Sequence, residues 1–277
     1  MKYYGTYYYA NIVQSVCKNS FDYLRNFEEL LGDNHILDYV EPFRKKSNLH
    51  IFIEFVIDSL FTEEAGKLDL NNCLDRSNYD FSNPTYITPL ERAFKKYDLE
   101  HESFMDWFDK QNLHLNDNCF DLYYYDLFQE DSFYELIETL SNDVFYILFI
   151  NRQFLQEFNE LFADYLRGCV GDKSAVSEII NDDLIHVVRP NFKLFRKNIP
   201  TWVQRAVFYR DRGRCTHCNK DLSGILAINN LENYDHIVPL NLYGFNDVTN
   251  LQLLCRECNA EKSGNDWDTS IKYEGWY

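Results

Sequence analysis

The sequence predicts an α+β protein in two parts, an acidic all-α domain over residues 1–188 and a small cysteine-bound domain over residues 189–277. Charge is the first observation. The chain carries a formal −17, and residues 1–190 hold 16 Lys and Arg against 34 Asp and Glu, whereas residues 191–277 hold 11 against 10. The cysteines divide in the same way. Cys17, Cys73, Cys119 and Cys169 are scattered singly, while Cys215, Cys218, Cys255 and Cys258 form two C-x-x-C pairs. The third observation is helical punctuation, which is dense before residue 190 and sparse after it.

Within the acidic part, Thr88-Pro89-Leu90-Glu91 offers an N-cap, a proline at the first helical position and a glutamate three residues after the cap, which predicts a helix over 89–97. Ser132 and Glu135 have the same spacing and predict one over 133–140. Phe154, Phe158, Leu161, Phe162 and Tyr165 recur at helical period, with Gly168 as the expected stop. Further helices are expected near 20–31 (ending at Gly32), 49–63, 102–111 and 174–182, and the Asn-, Asp-, Ser- and Pro-rich stretch 67–88 reads as a loop. The sequence around "VVRPNFKLFRKNIP", where the charge changes sign between two prolines, marks the expected boundary.

At 277 residues and 45% hydrophobic content, the chain has material for one large or two ordinary cores. Its densest apolar run, "VFYILFI", is too short to cross a bilayer, and the tyrosine-rich N-terminus lacks the aliphatic segment of a secretory signal. A cytoplasmic protein is expected, with no membrane partner. In that compartment paired C-x-x-C motifs point to a metal and not to disulfides. Four thiolates suit a closed tetrahedral zinc, a staple with no open position for chemistry. A small domain needs one, because it cannot bury much core of its own.

Between and over the two knuckles the chain reads "CTHC … YDHIVPL … TNLQLLCRECNAEKSG". This resembles the HNH endonuclease family, with its ββα-metal core, over about Arg205 to Asn265. The resemblance implies a phosphodiester hydrolase in which His236 is the general base, Asp235 and Asn259 hold one catalytic Mg²⁺ or Mn²⁺, and Asn250 braces the loop that presents His236. Adjacent residues on a strand face opposite ways, so Asp235 and His236 can divide metal binding and proton transfer between two sides. Cys258 precedes Asn259 directly, so the structural Zn²⁺ would fix the helix that carries a catalytic ligand.

Nine basic residues against one acidic, Asp211, lie between Arg189 and Lys220. That window suits phosphate contact, with Arg205, Arg210, Arg212 and Arg214 as candidates and Lys262 beyond it. DNA is the expected substrate. Residues 1–190 carry a net −18 that repels DNA, so the domain over residues 1–188 is expected to bind a protein partner or to regulate the nuclease. An effector of bacterial anti-phage defence, licensed by a partner, is one such arrangement. The alternatives are a zinc fold that binds nucleic acid or protein without catalysis, and an RNA-cleaving HNH-like enzyme. His217, between the knuckle cysteines, is expected to be a loop residue, and the remaining histidines and single cysteines are expected to be structural.

Overall fold

A computed structural model describes residues 3–32, 35–77, 82–169, 186–224, 231–266 and 268–270. The helix expected at 174–182 lies outside these residues. Before residue 170 the order is α1 (Tyr3–Lys18), α2 (Leu24–Leu31), α3 (Asn48–Ala65), α4 (Leu70–Cys73), α5 (Pro89–Tyr97), α6 (Phe104–Lys110), α7 (Asn118–Leu127), α8 (Asp131–Phe149) and α9 (Arg152–Cys169). After residue 200 come α10 (Thr201–Arg210), β1 (Tyr234–His236), β2 (Leu251–Leu253) and α11 (Arg256–Lys262). A helical region thus precedes a short β-hairpin and a closing helix, the α+β arrangement expected. No helix among the described residues is long and apolar enough to cross a membrane.

The helix at 89–97 starts as its sequence dictates, with Thr88 and Glu91 forming a reciprocal capping box. Glu91 does more than cap. Its second oxygen accepts from the backbone N–H of Phe104 at 3.1 Å, so a single buried carboxylate joins the starts of α5 and α6. Other boundaries differ from expectation. Helix α8 begins at Asp131, which leaves Ser132 inside it, and α9 runs past Gly168 to Cys169, where an exposed glycine interrupts nothing. The stretch 67–88 contains α4, capped by Asp69, and an isolated bridge between Leu74 and Tyr86.

The chain divides into two compact units, Met1–Val13 with Phe52–Val144, and Gln14–Ile51 with Phe145–Tyr277. The first is helical around an aromatic core that includes Phe61, Phe94, Phe104, Phe120, Tyr123 and Tyr124. Tyrosine hydroxyls buried there find partners, as burial requires: Tyr123 donates to Glu102 O at 2.6 Å, and Tyr124 accepts from Leu90 N at 3.1 Å.

The second unit holds the knuckles, the hairpin and α11, together with chain from far upstream. The boundary expected at 188/189 falls inside it. Phe162 of α9 packs edge-on against both Tyr39 and Phe245, and Asn159 donates to Thr249 Oγ1 at 3.4 Å. Phe43 N donates to Asn246 O at 2.8 Å, and Asn48 N at the start of α3 donates to Asp247 Oδ2 at 3.1 Å. Helical segments therefore form the bed on which the loop between β1 and β2 lies.

Candidate active site and metal centre

The two strands pair antiparallel, with Tyr234, Asp235 and His236 opposite Leu253, Gln252 and Leu251. In this register Leu251 O and Leu253 N point away from β1, where a third strand would satisfy them. Side chains do so instead. Arg210 Nη2 donates to Leu251 O at 2.6 Å, and Asp211 Oδ2 accepts from Leu253 N at 2.9 Å. The two residues also form a bidentate pair at 2.8 Å, and Arg152 Nη1 lies 3.5 Å from Asp211 Oδ1. The Arg210 guanidinium rests 5.0 Å over the Phe149 ring, which covers one of its faces.

The first knuckle is a tight hairpin over 213–222. Leu222 N donates to Gly213 O at 2.7 Å, Cys215 N to Lys220 O, and Asn219 N to Cys215 O. Gly213 sits at φ 63°, and a β-carbon there would meet the Phe208 ring at 2.8 Å, so only glycine fits. Thr216 N donates to Leu253 O at 2.9 Å, which docks the hairpin on β2. From the other side Cys255 caps α11, and Cys258 follows within its first turn. All four sulfurs lie within 4.8 Å of one another, with Cys218 and Cys255 Sγ 3.6 Å apart. A tetrahedron with Zn–S of about 2.3 Å has S···S edges of about 3.8 Å, so the donor set fits zinc. His217 is half-buried, its Nε2 3.8 Å from Asp268, and is not among the clustered ligands.

Strand alternation puts His236 with Tyr234 on the buried face and Asp235 on the side of α11. His236 is 3% exposed, and its Nε2 has no hydrogen-bond partner among the described residues. Burial pushes its titration down to about 3, and the positive charges of Arg196 and Lys262 act in the same direction, against a smaller opposing effect of Asn246. The ring is therefore neutral at pH 7, and while it stays buried it is a poor proton acceptor.

Lys262 at the end of α11 donates to Asp235 Oδ2 at 2.8 Å and to His236 O at 2.7 Å. One turn earlier on the same helix, half-buried Asn259 donates from Nδ2 to Glu232 O at 3.2 Å, just before β1. Asp235 and Asn259 thus belong to the same crossing of α11 over the hairpin. Asp235 Oδ1 takes part in no hydrogen bond among the described residues. One carboxylate oxygen and one amide oxygen suit a hard divalent ion that keeps most of its waters.

Asn250 is fully buried and closes the loop that follows His236. Its Oδ1 accepts from Val238 N at 2.8 Å, and its Nδ2 donates to Val238 O and Phe245 O, each at 2.9 Å. Gly244 makes room for this clamp, since a β-carbon would fall 1.9 Å from Val238 O. Asp247 sets the loop from below, accepting from Thr249 N and Oγ1 as well as from Asn48, and burial raises its titration.

The basic candidates separate on inspection. Arg205 and Arg212 are exposed, and Arg214 is half-buried with Nη1 donating to Asn219 O. Arg210 and Lys262 correct the sequence expectation of phosphate contact. Both are buried, their charges spent on Asp211, Asp235 and backbone carbonyls. Sequence reading also missed Gly244, Asn246, Asp247 and the Arg210–Asp211 brace; of these only the Gly and the Asp before "VTN" carried a local signal, that of a turn.

Residues 215–264 match the family model of the HNH endonuclease. No curated protein and no solved structure matches the chain. The matched span takes in both knuckles, the hairpin and α11, so the C-terminal part of this chain is an HNH domain, joined to a helical N-terminal region.

Proposed function

We propose that the protein is a metal-dependent endonuclease that hydrolyses phosphodiester bonds in DNA. The observation that carries this reading is the division of the Asp235-His236 pair across β1, with Asp235 turned to the helix that bears Asn259 and neutral His236 turned the other way. A non-catalytic zinc fold has no need of either arrangement.

In this reading Asp235 and Asn259 hold one Mg²⁺ or Mn²⁺. Bound there, the ion would stabilise charge on the phosphate and the leaving 3′ oxygen. His236 takes a proton from the attacking water, whose oxygen bonds to phosphorus as the P–O3′ bond breaks. Asn250 acts through the loop and touches no reacting atom. Zinc on the four cysteines holds α11, and with it Asn259, in register with β1. Because His236 is only 3% exposed, the site must open for its ring to reach water and phosphate. Residues 1–188 fit the role of a region through which a protein partner licenses that opening, as in an effector of anti-phage defence in a cytoplasmic setting.

The test is nicking of supercoiled plasmid by the full chain with Mg²⁺ or Mn²⁺, beside EDTA and a His236→Ala variant that retains zinc and helical content. Metal-dependent nicking lost in the variant is expected. Equal nicking by both proteins would remove His236 from the mechanism. Cleavage of RNA in place of the plasmid would overturn the DNA assignment.

A further inference from the structure

The outward face of α10 sets exposed aromatic rings on either side of a cation. Its inward residues, Val203, Gln204, Val207 and Arg210, are buried, and Tyr234 donates to Gln204 O at 3.2 Å, so the helix lies firmly against the HNH hairpin. On the other side Trp202, Arg205 and Tyr209 stand at i, i+3 and i+7, one stripe of a helix with 3.6 residues per turn. Trp202 is 37% exposed and Tyr209 84%, and Arg205 is exposed between them. Ala206 leaves the centre of the stripe low, and Arg212 follows just past the helix end.

Cations from the same basic segment already lie over other rings: Arg189 lies 5.2 Å over exposed Phe195, and Lys193 lies 5.6 Å over half-buried Tyr243 of the loop after β1. Among the described residues nothing stacks on Trp202 or Tyr209. Two large rings flanking a cation suit a strand that offers flat faces and negative charge together, which means unpaired bases on a phosphate backbone. A paired duplex hides its base faces and would meet only Arg205. An acidic protein would satisfy the arginine and could cover the rings, but the phosphate-rich strand suits the cation and the flat faces together beside a domain that matches the HNH family model. Two helical turns separate the rings by about 10 Å, roughly three stacking steps of about 3.4 Å.

We infer that the Trp202–Arg205–Tyr209 face of α10 is a binding platform for single-stranded DNA, so that the enzyme engages substrate where a strand is unpaired beside the cut. The inference rests on the nuclease reading and narrows its substrate.

The experiment uses the full zinc-loaded chain in a His236→Ala background, so that the probe is not consumed. Binding of a single-stranded DNA oligonucleotide, the matching duplex and the same sequence as single-stranded RNA is followed by anisotropy and by quenching of tryptophan emission. Expected are single-strand DNA affinity at least about tenfold above duplex, and roughly tenfold loss in Trp202→Ala and in Tyr209→Ala with the fold retained. Trp202→Phe should keep most affinity but lose the quenching, and Arg205→Ala should lower the salt slope by about 0.7. Unchanged binding in both alanine variants, or a preference for duplex or RNA, would overturn the inference. Plasmid nicking by the parent chain without single-strand preference would sink it alone; absence of both nicking and nucleic-acid binding would sink the nuclease reading with it.

Discussion

Asp211→Ala is the substitution whose effect the structure specifies best. The side chain is fully buried, and it neutralises Arg210, whose side chain is 2% exposed, and Arg152, at 8%. It also accepts the outward N–H of Leu253. Truncation leaves cationic groups without their carboxylate and one strand N–H without an acceptor. Breaking a buried pair from one side costs about 3–5 kcal/mol. Losing the N–H acceptor adds about 1–3 kcal/mol, part of which is the same desolvation counted once already. A loss near 4 kcal/mol is a large share of a typical total of about 5–15 kcal/mol. With a urea slope of about 2–3 kcal/mol/M, the midpoint falls by roughly 1.3–2 M. Urea titration followed by far-UV circular dichroism, with zinc release read in parallel by a chromogenic chelator, measures it. Zinc release should move with the transition, since Thr216 docks the first knuckle on the same strand. A loss under about 1 kcal/mol would refute the view that this pair substitutes for a third strand.

Further outcomes are expected elsewhere. Cys258→Ala should lose bound zinc and leave the C-terminal unit poorly folded, read by zinc content and proteolysis; normal plasmid nicking in that variant would remove the stapling argument. Gly244→Ala should destabilise by more than about 2 kcal/mol, because the new β-carbon lies 1.9 Å from Val238 O, and thermal unfolding checks it. His50 accepts from Ser47 N and stacks on Phe145 at 3.8 Å, and burial, with Lys46 nearby, pushes its titration down to about 4. Its neutral form is the folded one, so its contribution is complete above about pH 6.5 and is lost as pH falls from there toward 4. The thermal midpoint should drop by a few degrees across that window, and a His50→Gln variant should show a flatter profile.

What sequence reading reached was local. The Thr88–Glu91 box, the C-x-x-C spacings and the Asp235-His236 pair each sit within a few residues, and each reads directly. Helix α1 escaped because its run of tyrosines masks the apolar period of Ala10, Val13 and Cys17, and in α7 Asp117 turns its carboxylate to Leu70 N of α4 and not to its own helix. Charge counting over 189–220 placed Arg210 with the phosphate contacts, and Lys262 joined it as a basic residue of the closing helix, since neither charge nor composition carries information about burial. The pairing of Asn48 with Asp247 spans 199 residues, and no pattern in either segment points to the other.

The closed outer edge of β2 limits how this domain can meet other chains. An open strand would accept a partner's backbone, or a second copy of itself, by simple extension of the sheet. Here Leu251 O and Leu253 N are already taken by the Arg210–Asp211 pair, and Leu253 O by Thr216 N. Recognition of any partner at this edge must therefore work through side chains or loops, and the outer edge of β2 adds no strand whatever the local concentration of its neighbours.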